Sequence, residues 1–485
     1  MEPLGYFRRV GRPKKSLREN LTNRLGRTLN EMLLAVAPEE LVAMQHAVVE
    51  ESRRQGLLYE AADGTLQVIP LLLRPRILSR EQGRFFQKVC LEMVHALERL
   101  YFLWSTEQAV RALLPLTEGE LRWFSTMPKV AARAPQTIFG RLDVQVDFAD
   151  DDWEAHCHFF EANTVGAGGI HYTPVADQII LGSVMKKLRK LAPGFLIKPA
   201  DDPRLLLLHT LTHHADEMGL PSLRVGLLQD RRLAGGPEEF PAIARFLGAH
   251  DLAAAVVDPR DLVVKRDQLY AGDQPIDLVY RDTTMADLVE YENEGSDLSA
   301  MKWAFAHNRV VSSIAGEFDH KSAFEILSDP RFHPHFSAAQ RKIFQKYVPW
   351  TRTVRETKTS GFDGSELDLV PFVRKNREGL VLKPNRGLGG EKVVIGPFAE
   401  LDEWDQAIAH AVAHPGETVV QRYVPSLVKD FPVLGEDGRC RLEELYCVCG
   451  FFATADGLAI LGRASKKRVV NVAQKGGLVA CMVLM

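Results

Sequence analysis

The first part of the chain carries apolar residues at helical spacing. Within residues 31–56 and 84–104, apolar side chains recur three and four positions apart, which is the period of one face of an α-helix. The same pattern covers most of residues 17–130. We therefore predict a mainly helical N-terminal region over residues 1–135, in which no catalytic motif can be placed.

The pattern changes to strand-like alternation near residue 136. Apolar and polar positions alternate in residues 137–148, and residues 152–163 follow after an acidic turn. This arrangement predicts two neighbouring antiparallel strands. Residues 176–192 then return to helical spacing. We treat residues 136–202 as a second region.

Residues 203–282 alternate between strand and helix. A short apolar run at 222–230, a helical pattern at 237–250 and a second apolar run at 252–259 precede a turn and strand at 268–282. Strand–helix–strand order favours a small parallel α/β domain. Residues 283–485 form a further region, with strands predicted at 308–316, 380–384, 418–424, 445–453 and 458–465. The fold class predicted for the whole chain is α/β.

Composition excludes several classes of protein. The 485 residues are 46% hydrophobic and 25% charged, with a net charge of -3, so the chain as a whole is not a nucleic-acid-binding protein. No apolar run reaches the roughly 18–20 residues that span a bilayer, and no signal-peptide core follows Met1. None of the six cysteines forms a C-x-x-C pair, which favours buried thiols over a zinc site. We expect a cytoplasmic protein without a membrane partner.

Two short segments carry donors suited to a magnesium–nucleotide complex. Glu161 and Asn163 are spaced as E-x-N, so both oxygens lie on one face of a strand and suit a hard cation. Lys383 ends an apolar strand and precedes the glycine-rich segment 385–390. A lysine and the backbone amides of such a loop bind nucleotide phosphates. The alternatives without a binding function are a hairpin turn for the glycine-rich segment and a strand with exposed acids for the E-x-N pair. The chain carries no G-x-S-x-G, Walker A or first-strand GxGxxG motif.

Both segments resemble those of the ATP-grasp ligases. In the usual member the E-x-N strand lies C-terminal to the lysine–glycine segment, whereas here it lies about two hundred residues upstream. That order is similar to the circularly permuted branch, which includes the synthetase domain of glutathionylspermidine synthase and uncharacterised bacterial proteins. The resemblance covers roughly residues 136–485 and implies a permuted ATP-grasp core, with the small α/β domain inserted and the N-terminal helices added.

The resemblance also implies roles for individual residues. The family's R-x-D and E-x-N strands match Arg141, facing the transferred phosphate or a substrate carboxylate, and the Mg²⁺ ligands Asp143, Glu161 and Asn163. One or two Mg²⁺ ions are expected. The groups expected around ATP are Lys321, Lys383, Gly387, Gly389, Gly390, Gln421, Tyr423, Val424 and Asn471. Among them, the strand at 418–424 resembles the one that binds the purine, with backbone groups from Gln421, Arg422, Tyr423 and Val424. Arg463 matches an arginine that stabilises charge on the γ-phosphate and the acyl oxygen.

The implied activity is that of an ADP-forming carboxylate–amine ligase. A carboxylate takes the γ-phosphate of MgATP to give an acyl phosphate, and an amine then displaces phosphate to form an amide. The expected partners are small-molecule or peptide acids and amines, with homodimer formation left open. Two alternatives remain at this point: a kinase that phosphorylates a small-molecule hydroxyl, and an ATP-grasp scaffold without catalysis.

Overall fold

The computed structural model describes residues 20–61, 63–127, 135–191, 196–232, 238–387, 392–470 and 476–485. It shows an α/β protein with mixed helices and several sheets. The N-terminal elements are α1 (Leu21–Leu34), α2 (Pro38–Arg54), β1 (Leu58–Glu60), β2 (Leu66–Val68), β3 (Leu71–Ser79), α3 (Arg80–Glu98), α4 (Leu100–Thr106), α5 (Gln108–Leu113) and α6 (Glu118–Ser125).

Strand β3 is a long strand within the N-terminal region, which is predicted to be mainly helical. It pairs in parallel with the last strand of the chain, and the register of the two strands shifts opposite Val479 and Cys481. Pro75 lies within this irregular stretch of β3. Proline lacks an N–H and ends helices, but it is tolerated at an irregular or edge position of a sheet. A capping box between Ser79 and Gln82 then starts α3 directly after the strand.

The middle of the chain follows the predicted order of elements. It contains β4 (Arg141–Gln145), β5 (His158–Asn163), α7 (Tyr172–Ile179), a π-helical turn (Ile180–Met185), α8 (Lys186–Leu191), β6 (Ile197–Pro199), α9 (Pro203–Glu217), β7 (Arg224–Leu228), α10 (Glu239–Gly248), β8 (Ala253–Val257), β9 (Leu262–Lys265), β10 (Gln268–Ala271), β11 (Gln274–Ile276) and β12 (Leu278–Arg281). Strands β4 and β5 pair antiparallel, as the alternation predicted.

The remaining helices and strands complete the sheets. They are α11 (Met285–Asn293), α12 (Ser299–Ala306), β13 (Val310–Val311), α13 (Ala323–Ser328), α14 (Ala338–Tyr347), β14 (Thr351–Thr353), β15 (Lys358–Ser360), β16 (Glu366–Asp368), α15 (Leu369–Lys375), β17 (Leu380–Pro384), β18 (Val394–Ile395), α16 (Leu401–Ala413), β19 (Thr418–Arg422), β20 (Leu427–Leu434), β21 (Cys440–Thr454), β22 (Gly457–Ser465) and β23 (Gly477–Leu484). The strand predicted at 308–316 is short, because a 3₁₀ helix begins at Ile314.

Three sheets organise the described residues around the site. The largest has the order β3-β23-β22-β21-β4-β5, with β20 also on β21 and β6 also on β23. A four-stranded antiparallel sheet has the order β14-β19-β17-β18. A parallel sheet has the order β13-β12-β7-β8, and three of its strands lie within residues 203–282. Its fourth strand, β13, comes from beyond the predicted boundary at residue 282.

The large sheet lies between two hydrophobic cores. On one face, Leu142 and Val144 join the cluster that contains Phe86 and Met93 of α3. On the other face, Leu461 and Leu478 join the cluster that contains α1 and α7. Successive side chains of a strand point to opposite faces, so burying Leu142 and Val144 turns the polar residues of β4 away from α3.

Among the described residues, no single helix has the length and apolar character needed to cross a membrane. The helices α1 and α2 satisfy that test only as a pair, across a bend of 112°.

Candidate active site

A cavity of about 470 Å³ lies where the large sheet meets the antiparallel sheet. Eleven of the residues singled out from the sequence line it, and they are Arg141, Asp143, Glu161, Asn163, Lys321, Lys383, Gly387, Gln421, Tyr423, Val424 and Arg463. The other three, Gly389, Gly390 and Asn471, lie outside the described residues. The fold therefore brings together residues that are more than three hundred positions apart in sequence.

The register of β4 and β5 places the polar pairs side by side. Arg141 lies opposite Asn163, and Asp143 lies opposite Glu161. Because each pair of residues is spaced by two within its strand, all four side chains share one face of the sheet. The neighbouring strand β21 contributes Gly450, where a Cβ atom would lie 2.3 Å from Cδ of Arg141. The absence of a side chain at Gly450 therefore leaves the space that the Arg141 side chain occupies.

Asp143 is held ionised by two arginines. Arg141 Nε donates a hydrogen bond to Oδ1 at 2.7 Å, and Arg463 Nη2 lies 2.8 Å from Oδ2. Burial alone favours the protonated acid, but the two guanidinium groups outweigh it and hold the pKa of Asp143 at about 2. Arg463 Nε is buried without an acceptor among the described residues, so Arg463 keeps hydrogen-bonding capacity for a further anion.

Two lysines enter the same cavity from the other side. Lys321 Nζ lies 3.1 Å from Glu161 Oε1 and donates to the carbonyl of Gly387 at 2.6 Å. Lys383 Nζ donates to Gln421 Oε1 at 2.7 Å and lies 5.0 Å from the ring centroid of Phe160. Burial, reinforced by Lys321, lowers the pKa of Lys383 to about 8 against the opposing effect of Glu161.

The oxygen donors fit a hard divalent cation. Asp143, Glu161 and Asn163 offer carboxylate and amide oxygens from adjacent strands to one cavity, which is the ligand chemistry that Mg²⁺ prefers. The side-chain nitrogen of Asn163 is buried without an acceptor among the described residues. An amide flip exchanges its nitrogen and oxygen, so among the described residues no hydrogen bond of this nitrogen opposes turning the oxygen of Asn163 toward a cation.

Asn385 fixes the start of the glycine-rich segment to the segment that carries Lys321. Its side chain is buried, with Nδ2 donating to the carbonyl of Gly416 at 2.8 Å and Oδ1 accepting from Ser322 N at 2.8 Å. Its backbone carbonyl accepts from the N–H of Lys321 at 2.9 Å. One residue thus sets the relative position of the two lysine-bearing segments.

The strand expected to bind the purine has part of its backbone already paired. The N–H of Arg422 donates to Trp350 O at 2.8 Å, and the N–H of Tyr423 donates to Gly379 O at 2.8 Å. Those two amides are therefore occupied, whereas the sequence assigned backbone groups of both residues to the purine. Val424 lines the cavity beyond them.

Two acids near the site belong to no recognised motif, and neither was predicted from the sequence. Glu239 lines the cavity, and its Oε1 accepts from the N–H groups of Gly169 at 2.8 Å and His171 at 3.1 Å. Burial raises the pKa of Glu239 to about 7. Glu120, the N3 residue of the capping box that starts α6, forms a two-pronged ion pair with Arg386 of the glycine-rich segment. The only signal for Glu120 in the sequence is its T-x-x-E spacing from Thr117.

The Glu120–Arg386 pair predicts a dependence of stability on Arg386. The Glu120 side chain is fully buried, so after Arg386→Met the donors left to its carboxylate among the described residues are the N–H and hydroxyl of Thr117. We expect the free energy of unfolding to fall by about 2 kcal/mol, the range for hydrogen bonds to a charged group. Urea denaturation measures it, with Arg374→Met, which breaks an exposed pair with Asp405, as the matched control. An Arg386→Met loss no larger than that of the control would contradict this assignment.

Comparison with known proteins defines the fold and leaves the activity open. No family model matches the sequence, and no curated protein matches it. Among solved structures, the chain is similar to the apo form of a glutathione synthetase-like effector (GSS30) from Globodera pallida. The TM-score is 0.60 with 13% sequence identity, and the alignment covers 92% of this chain and 98% of that one. The architecture is therefore an α/β fold similar to that of a glutathione synthetase-like protein.

Proposed function

We propose that this chain is an ATP-dependent carboxylate–amine ligase built on a circularly permuted ATP-grasp core. The observation that supports it most is the shared cavity, in which two lysines, two arginines and three oxygen donors converge. These four cationic groups, with the two carboxylates among the oxygen donors, suit a polyanion accompanied by a divalent cation. Residues 136–202 then form the metal and substrate part, 203–282 an inserted pre-ATP-grasp-like domain, and 283–485 the nucleotide-binding region.

Each group in the cavity has a role in such a reaction. Lys321 and Lys383 bind the ATP phosphates, while Gln421, which accepts a hydrogen bond from Lys383, orients that ammonium group. Asp143, Glu161 and Asn163 would hold Mg²⁺, which supplies charge neutralisation on the phosphates when bound. Arg141 and Arg463 both pair with Asp143, so their guanidinium groups lie beside the same carboxylate.

The chemistry proceeds in two displacements. A carboxylate oxygen of the acid attacks the γ-phosphorus, the bond to the β-phosphate oxygen breaks, and ADP leaves. The amine nitrogen then attacks the acyl carbon, phosphate departs with the electron pair of its C–O bond, and the amine loses a proton. The fixed positions of the lysines and arginines supply positioning and charge stabilisation, which dominate phosphoryl transfer. The product is an amide or peptide bond together with ADP and phosphate.

The test is Mg²⁺-dependent release of ADP from ATP with pooled amino acids, small peptides and polyamines. We expect release that requires both an acid and an amine, and that is lost in Glu161→Ala. The matched control is Glu366→Ala, since Glu366 is an exposed carboxylate on a hairpin. A phosphorylated product that retains the transferred phosphate would establish a kinase instead. ATP binding without turnover in every pool would leave a binding protein.

The lowered pKa of Lys383 predicts that ATP binding weakens with rising pH. In the free protein Lys383 loses its proton near pH 8, whereas bound phosphates favour the ammonium form and raise that pKa. The affinity is therefore complete below pH 8 and is lost above it, by up to about tenfold per pH unit. Calorimetric titration of ATP from pH 7 upward measures the effect. Lys383→Arg keeps its charge and should bind with a flat profile, while an equally flat wild type would contradict the assignment.

A further inference from the structure

A second cavity, of about 230 Å³, lies away from the candidate active site between α1, β3 and β20. Its lining includes two arginines of β3, Arg74 and Arg76, and Lys429 of β20. The acids that line it are Asp147 and Asp430. With Arg27 of α1, which also lines the cavity, four basic groups face two acidic ones and give the cavity a net positive charge.

Arg74 is the unusual member of this lining. Its guanidinium lies 4.9 Å from the ring centroid of Phe431, and its Nε is buried without an acceptor among the described residues. Gly26 of α1 makes room for it, because a Cβ atom there would lie 2.7 Å from Arg74 Nη2. A buried guanidinium N–H without an acceptor is costly, so the unpaired Nε of Arg74 favours an anionic group in the cavity.

The other three basic groups already have partners, and Arg27 Nε lies 3.9 Å from Glu31 Oε1. Arg76 donates to Val146 O at 2.7 Å and to Cys449 Sγ at 3.0 Å. Lys429 forms an ion pair with Asp147. Among the described residues that line the cavity, Arg74 has a buried N–H left for a ligand, while the other three basic groups add to the positive potential around it. Burial and the proximity of Arg76 together lower the pKa of Arg74 to about 10, which reflects the same uncompensated charge.

Asn30 adds the complementary polar group. Its Nδ2 donates to the carbonyl of Asp430 at 3.3 Å, and its Oδ1 is buried without a donor among the described residues. A ligand that satisfies both side chains offers an acceptor to Arg74 and a hydrogen-bond donor to Asn30. A protonated phosphate group carries both functions and is small enough for the cavity.

From these contacts we propose that the cavity between α1, β3 and β20 is a binding site for a small protonated oxyanion of the phosphate class, held by Arg74 and Asn30. The site is separate from the main cavity and does not rest on the proposed ligase activity. Its ligand is free inorganic phosphate or the phosphate group of a small metabolite. Fully ionised sulfate lacks the donor that Asn30 needs and is expected to bind more weakly.

Thermal unfolding of the full chain in phosphate, against sodium chloride of equal ionic strength, tests the site. Phosphate should raise the melting temperature of the wild type, of Lys383→Met and of the surface control Arg53→Met, and should not raise that of Arg74→Met. Sulfate should give a smaller shift in the wild type. A response lost in Lys383→Met and kept in Arg74→Met would place phosphate in the main cavity and overturn the proposal. A wild type that does not respond would also overturn it.

The stability of the variants without phosphate gives a second, independent readout. A guanidinium that merely supports the fold would lower the melting temperature when removed. A ligand-binding Arg74, whose buried charge is uncompensated without its ligand, predicts that Arg74→Met melts at or above the wild-type temperature. Arg74→Lys keeps the charge and loses the planar fork, so its phosphate affinity should fall by about tenfold. Unchanged phosphate affinity in Arg74→Lys would overturn the assignment to Arg74.

Discussion

Arg463→Ala is expected to slow ADP formation by about 10²–10³-fold, the usual cost of removing one group that stabilises developing charge. Arg463 lies on β22 with its guanidinium beside Asp143, and its Nε is buried without an acceptor among the described residues. The two lysines reach the cavity from other segments and keep their partners in this variant. The loss should therefore appear in turnover, with ATP affinity changed much less.

Single-turnover ADP release and calorimetric ATP binding separate these two effects. The matched control is Arg441→Ala, which should behave as wild type. Arg441 lies on the neighbouring strand β21, is exposed and pairs with Asp437. Arg463→Lys, which retains a charge without the fork, should recover part of the rate. If turnover in Arg463→Ala stays within a few-fold of wild type, Arg463 serves only to neutralise Asp143 and has no part in the chemistry.

The residues of β4 and β5 were predictable because their signal is local. Two polar residues spaced by two in an alternating strand must share a face, and strands that follow each other in sequence are commonly neighbours in a sheet. In the resulting strand pair, Asp143 lies opposite Glu161. Lys321 had no such signal of its own, and only its position in a family-like order of segments selected it.

The rest of the arrangement depends on contacts that no local pattern encodes. Strand β3 pairs with β23 across about four hundred residues of sequence, and its apolar run with a central proline resembles a broken helix as much as a strand. Glu120 and Glu239 are single acids in ordinary helix starts, and their partners lie 266 and about 70 positions away. Their roles appear only once the chain is folded.

Arg281→Met is expected to lower the free energy of unfolding by about 3–5 kcal/mol, the largest stability effect that we predict, because it leaves a buried acid without its partner. The Arg281 side chain is fully buried at the end of β12 and pairs with Glu317. It also donates to the carbonyls of Ser312 at 2.8 Å and Ser313 at 3.0 Å. This one side chain thus joins the parallel sheet to the segment that leads into Lys321.

Chemical denaturation of Arg281→Met, Arg374→Met and the double variant Arg281→Met/Glu317→Gln measures the effect and its cause. The control Arg374→Met, which removes an exposed arginine, should change the free energy of unfolding by no more than about 0.5 kcal/mol. If the uncompensated carboxylate of Glu317 causes the loss, neutralising it in the double variant should restore at least about 1 kcal/mol of the free energy of unfolding. If lost packing alone causes it, the double variant should be no more stable than Arg281→Met. Because Lys321 follows Glu317 by four residues, any ADP release that Arg281→Met loses should recover in the double variant together with stability. Recovery of stability without activity would mean that Arg281 positions Lys321 through its carbonyl contacts and not through the ion pair.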